Sequence, residues 1–280
     1  MLEIGRYNRL TIVKEVDFGV YLDGGERGEI LLPAKYVPRN VAPGDDVEVF
    51  IYLDSEDRII ATTETPYAQV GEFACLRVNS VNRVGAFLDW GLDSKELLVP
   101  FREQRAEMVA GKYYIVYLYV DEASERIVAT AKINRYLGQT PVDYTFNQTV
   151  DLLVTQETDL GFKVIVNNAH WGMIYHSEIF TAVRRGDKLR GYVTHIRADE
   201  KVDVALQPVG YKASVDPLAE MILEALGREG GFLPLTDKSD AELIASYFGC
   251  SKKNFKKAIG ALYKKHQIQL LDNGIKLGGK

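Results

Sequence analysis

At 280 residues, with 46% hydrophobic and 26% charged residues and a formal net charge of -5, the chain has the makeup of an ordinary folded protein. That excludes a disordered polymer and leaves room for several cores. No apolar run nears the roughly 20 residues needed to span a bilayer, and the start, Met1-Leu2-Glu3-Ile4-Gly5-Arg6, lacks a signal-peptide pattern, so a cytoplasmic, non-membrane protein is expected. Two cysteines and four histidines, none at a metal-ligand spacing, argue against a disulfide framework, a metal site or a cofactor.

Along the chain, one pattern occurs three times: Val16-Asp17-Phe18-Gly19-Val20-Tyr21-Leu22, then Asn82 to Leu88 around Gly85, then Thr158 to Val164 around Gly161. A glycine interrupting an alternating apolar segment marks a bend, a bulge or a close backbone approach. Around the first copy lie short β segments at 10–13, 29–33, 47–53 and 58–62, broken by Gly24-Gly25 and by the acidic turn Asp54 to Asp57. The second unit repeats the plan at 75–78, 96–100, 113–120 and 126–130. After a linker over 133–147, the third unit runs from Val150 to Gln207. Five short strands per unit predict a small barrel.

After Pro208 the period changes. Asp216-Pro217 opens an amphipathic helix through Met221, Ile222, Ala225 and Leu226, and Phe232 to Leu235 is a short strand. Ser239-Asp240-Ala241-Glu242 reads as a capping box for a second helix ending at Phe248-Gly249. Ser251 caps a third, and Gln267 to Leu277 makes a hairpin turning at Asp272-Asn273-Gly274. Helix, strand, two helices and a hairpin form a winged-helix pattern. The expected division is three barrels at 1–66, 67–138 and 139–211, then the winged helix at 212–280, a mainly β chain with a C-terminal α+β domain. Charge is uneven: residues 1–66 hold 7 Lys+Arg against 13 Asp+Glu, and residues 212–280 hold 11 against 8.

The three β units resemble the S1 domain, an OB-fold module of RNA-binding proteins. The resemblance rests on the aromatic-Gly-x-aromatic motif, on Gly172-Met173-Ile174-Tyr175-His176-Ser177-Glu178-Ile179 and on Pro43-Gly44-Asp45-Asp46-Val47. Three such units before a winged helix resemble the bacterial conserved virulence factor B family, whose members are regarded as RNA-binding regulators. The resemblance implies one face per barrel where aromatics stack on bases and polar groups contact the backbone.

In the first unit that face takes Phe18, Tyr21 and the Asp54/Arg58 pair. The two aromatics lie three apart, which ideal alternation places on opposite faces and which a bulge at Gly19 would bring to one. The second unit offers Phe87, Trp90 as an added stacking surface, and an Asp121/Arg126 pair, with Val84 in place of the first aromatic. Pro33 and Pro100 stand where the family has histidine. The third unit places Leu160 and Lys163 at the aromatic positions but offers Phe162, Trp171, Tyr175 and His176, with Arg197 and Lys201 in the places of Asp54 and Arg58. Aromatics at alternate strand positions are equally the expected filling of a barrel core.

The last helix carries Lys252, Lys253, Lys256, Lys257, Lys264 and Lys265 with Asn254, a set suited to phosphates and poor in base-reading groups. The expectation is a non-enzymatic binder of single-stranded RNA, acting as a post-transcriptional or translation-linked regulator. The alternatives are a transcription regulator holding duplex DNA through the winged helix and a nuclease accessory subunit. A ribosomal or other protein partner fits any of the three.

Overall fold

The computed structural model describes residues 2–93, 95–179, 181–208 and 217–278. They form two compact units, 1–139 and 140–280. In the first barrel β1 (Tyr7–Val16), β2 (Gly19–Asp23), β3 (Glu29–Pro33), β4 (Asp46–Leu53) and β5 (Ile59–Thr62) close in the order β1-β2-β3-β5-β4. One strand serves two neighbours: Tyr7 to Thr11 pair with β4, and Ile12 to Val16 pair with β2. The register shifts between Ile12 and Lys14, at the handover. A bulge bends a strand at such a place, which is what closure requires. The expected bulge at Gly19 is therefore corrected, since Gly19 is an ordinary ladder residue paired with Val16 and Pro33.

What Gly19 provides is close approach. Its φ is +150°, and a Cβ there would collide with the Leu32 carbonyl oxygen. Gly85 would strike the Val99 carbonyl oxygen and Gly161 that of Ile174 in the same way. The carbonyl just before each glycine accepts an N–H from just past the third strand: Ala34 to Phe18 at 2.9 Å, Phe101 to Val84 at 3.4 Å, His176 to Leu160 at 3.1 Å.

The second barrel repeats this order with β6 (Phe73–Val81), β7 (Gly85–Leu92), β8 (Lys95–Pro100), β9 (Tyr113–Val120) and β10 (Ile127–Thr130). Alternation along β4 divides its side chains: Val47, Val49 and Ile51 fill the first barrel, while Phe50 and Tyr52 point outward into the second barrel's core. There Phe50 meets Trp90 edge-on, with ring centroids 5.5 Å apart. Trp90 is 1% exposed and donates its indole N–H to the Ala68 carbonyl at 2.8 Å. The sequence expectation of Trp90 as a stacking surface is thus corrected: it seals the joint between the first two barrels. Lys95 donates to the Asp54 carbonyl across the same joint, and burial pushes its pKa down.

The 133–147 stretch is not a free linker either. Ile133–Tyr136 forms a 3₁₀ turn with Ile133 buried, and Val142 and Tyr144 pack against the third barrel. His170, buried, holds that segment through the Tyr144 hydroxyl at 2.8 Å and the Thr140 carbonyl at 2.7 Å.

In the second unit β11 (Thr149–Thr158), β12 (Gly161–Val166), β13 (His170–Tyr175), β14 (Lys188–Ile196) and β15 (Val202–Ala205) give a third closed barrel of the same order. The winged helix follows as α1 (Pro217–Arg228), β16 (Phe232–Leu233), α2 (Ala241–Phe248), α3 (Lys252–Lys264), β17 (Ile268–Leu271) and β18 (Gly274–Leu277). Asp216, expected at the start of α1, lies outside the described residues. Leu218, Ile222 and Leu226 recur one turn apart and are buried against Phe255, Ile259 and Leu262 of α3. The capping box is corrected by one residue: Asp240, not Ser239, is the N-cap, accepting from the Glu242 N–H at 2.7 Å. Ser239 instead accepts from the Thr236 N–H. Ser251 caps α3 as expected, and Gly249 ends α2 at φ 62°.

Candidate nucleic-acid interface

The hairpin between β1 and β2 turns at Asp17-Phe18, so Phe18 belongs to the turn and not to the strand. That frees it from strand alternation. Its ring, 57% exposed, meets the half-buried Tyr21 edge-on at 6.3 Å. Lys14, directly across from Tyr21 in the ladder, lies 4.8 Å over the Tyr21 ring and pairs with Glu29. Lys14 was missed in the sequence, although the hairpin register alone brings it there. Asp54 and Arg58 do pair, at 2.8 Å. Burial raises the Asp54 pKa, but hydrogen bonds from the Arg58 N–H and guanidinium outweigh it and hold the carboxyl below its ordinary value. Because Leu31 of β3 pairs in parallel with Ile60, this turn lies beside the start of β3, whereas Phe18 lies at its end. The stacking pair and the polar pair therefore bracket the β2-β3-β5 surface from opposite ends.

In the second barrel the expected Asp121/Arg126 pair does not form. Arg126 reaches across the joint to Asp57, whose carboxyl this hydrogen bond holds below its ordinary value. Asp121 instead accepts from the Ser124 N–H and hydroxyl and faces Arg102 at 3.5 Å. Phe87 is half-buried and lines a cavity of about 180 Å³ with Leu53, Asp57, Lys95 and Arg126 at the joint. Val84 occupies the Phe18 position, 50% exposed, with no aromatic ring to offer.

The third barrel builds its face on β13. Trp171, Met173 and Tyr175 alternate on its outer side, all half-buried. Lys163 of β12 lies 3.6 Å from the Trp171 ring centroid, and the Tyr175 hydroxyl donates to Asp203 at 3.3 Å. His176 is exposed beside the Leu160 turn. Phe162 is corrected: it is core, 8% exposed, and only its ring edge reaches His176, at 5.9 Å. Arg197 and Lys201 both bind Asp199, at 3.3 and 2.6 Å, so one carboxylate answers half of their charge within the turn.

On α3, Asn254 is corrected from a contact to a packing residue. It is 8% exposed, and its amide donates to the Ser177 carbonyl of the third barrel at 3.4 Å. Lys252 donates to the Lys238 carbonyl and Lys256 pairs with Asp237 at 3.0 Å. Lys253, Lys257 and Lys264 share one exposed helical face, and Lys265 follows it. Among the described residues no three His, Cys, Asp or Glu side chains gather as a metal site, and no helix is long and apolar enough to cross a membrane.

Comparison with known proteins agrees with this architecture. The S1 domain family matches residues 4–64 and 70–132, and the CvfB-like winged helix domain matches 220–277. The third barrel joins the first two by strand order. The chain is 30% identical to the uncharacterized protein YitL of Bacillus subtilis (strain 168) over 278 residues, covering 94% of this chain and 90% of that one. It is 25% identical to conserved virulence factor B of Staphylococcus epidermidis (strain ATCC 12228) over 273 residues, 93% and 90% of the two chains. A solved multidomain protein with nucleic acid binding domains from Streptococcus pneumoniae TIGR4 is 27% identical, covering 98% of each chain, with a TM-score of 0.45.

Proposed function

The chain belongs to the conserved virulence factor B family, and on that premise we propose that it binds single-stranded RNA as a non-enzymatic, post-transcriptional or translation-linked regulator. One observation carries the reading: the first and third barrels each present an outward aromatic with a lysine over its ring, Lys14 on Tyr21 and Lys163 on Trp171. An aromatic face stacks on any base, and a lysine beside it follows the phosphate. The pairs Asp54–Arg58, Asp57–Arg126 and Asp199–Lys201 tie their carboxylates to cations, which favours a structural over a nuclease role.

The winged helix adds sequence-tolerant backbone contact through Lys253, Lys257, Lys264 and Lys265. Asn254 is spent on Ser177, so the first turn of α3 has no free side-chain amide to read adenine in a major groove. The test is titration of a labelled single-stranded RNA and of a duplex DNA at several salt concentrations. Preference for the single strand is expected, and Lys163→Ala is expected to lower the salt slope by about 0.7. Absence of binding at physiological salt up to micromolar protein, or preference for the duplex, overturns the reading.

A further inference from the structure

On the second barrel, sharing no residue with the faces of the first and third, lies a cleft of about 690 Å³, within the size range of small-ligand sites. Tyr117 and Tyr119, two apart on β9, point outward into it. The Tyr136 ring, delivered by the 3₁₀ turn at 133–136, stacks on Tyr117 at 3.9 Å and 21° and comes within 5.9 Å of Tyr119. Phe73 supports Tyr117 from its other neighbour position, at 4.8 Å. Arg135 lies over Tyr136 at 5.0 Å and Tyr119 at 5.8 Å, and is itself anchored by an ion pair with the buried Glu103. Every ring is thus held in place before any ligand arrives.

We propose that this cleft is a pocket for one nucleobase, with guanine the best match. Two arginines, Arg102 and Arg135, face three carboxylates, Glu103, Asp121 and Glu122, so there is no surplus positive charge for a phosphate chain. A neutral planar ring suits the tyrosine wall better. Arg102 and Asp121 stand 3.5 Å apart at the rim. Guanine is the base whose O6 and N7 accept from an arginine while its adjacent N1–H and N2–H donate to a carboxylate. The cleft shares no residue with the faces on the first and third barrels, so the inference stands or falls independently of single-strand binding there.

The base has two sources, a free nucleotide or a strand, and calorimetry on the full chain separates them. Guanosine monophosphate and cytidine monophosphate form one arm. A short oligocytidine and the same oligomer carrying one guanosine form the other. In at least one arm guanosine is expected to bind at least about tenfold tighter than its cytidine counterpart. Tyr119→Ala is expected to remove that preference and Tyr119→Phe to keep it. Arg102→Gln, at a side chain 70% exposed, is expected to remove it too. A preference confined to the oligomer assigns the source to a strand, and one present with the monophosphate assigns it to a free nucleotide. Equal binding of guanosine and cytidine in both arms, a preference untouched by both Tyr119→Ala and Arg102→Gln, or guanosine triphosphate binding more than about tenfold tighter than the monophosphate overturns the proposal.

Discussion

The second and third barrels are closed by the same strand order, yet they use their tryptophans in opposite ways. Trp90 is directed inward at the far end of a long β7 and is spent on holding Phe50 of the neighbouring barrel. Trp171 stands on the outer side of β13 under a lysine. The difference teaches that residue type does not distinguish an outward-facing ring from a structural one in this fold. Strand parity does, together with whether another barrel covers the surface.

The largest test of that contrast is Trp90→Ala. It is expected to cost about 3–5 kcal/mol of stability through lost burial and the cavity left behind, read by urea unfolding, whereas Trp171→Ala is expected to cost no more than about 1 kcal/mol. Similar losses from both would break the comparison. Next come the proposed binding faces. Phe18→Ala with Tyr21→Ala, and separately Trp171→Ala, are expected to weaken single-stranded RNA binding by about 1–3 kcal/mol per base no longer stacked, with the thermal transition nearly unchanged. Phe87→Ala, at the joint, is expected to leave RNA affinity within about twofold.

The smallest effect is in acid. Asp57 is held below its ordinary value by Arg126, so its contribution to the joint is fully present above the unfolded carboxylate pKa of about 3.9 and is lost as pH falls through the lower folded value. Both groups are substantially exposed, so the effect is screened by salt. Asp57→Asn is expected to flatten the stability profile below about pH 4 and to lower stability slightly and evenly between pH 6 and 8, where the ion pair is intact in the parent chain. An unchanged acid limb would show that the ion pair does not act on the joint.

Most of the fold was legible because its signals are local. The recurring glycines, the alternating strands and the helix caps each depend on residues close in sequence, and among the described residues the cap of α2 slipped by one residue, Ser239 for Asp240. The site was less legible because exposure is decided at a distance. Trp90 reads as an available ring until Phe50, 40 residues earlier, is brought against it. Asn254 reads as a helix-start contact until Ser177 is beneath it. The tyrosine cleft escaped because Tyr136 lies in a stretch that reads as linker, and only the 3₁₀ turn lays it on Tyr117. Phe18 and Tyr21 do meet, but for a different reason than alternation gives: the turn, not a bulge at Gly19, brings the rings together.

The backbone lock at the three glycines separates shape from chemistry. At Phe18, Val84 and Leu160 the carbonyl is tied down by the N–H of Ala34, Phe101 and His176, while the side chains are 57%, 50% and 64% exposed. Nothing in the lock depends on what that side chain is. Each barrel therefore works as a tool holder with an exchangeable bit: aromatic in the first, aliphatic in the other two. A chain built this way can change the group it presents at each turn by one substitution per barrel without renegotiating its fold.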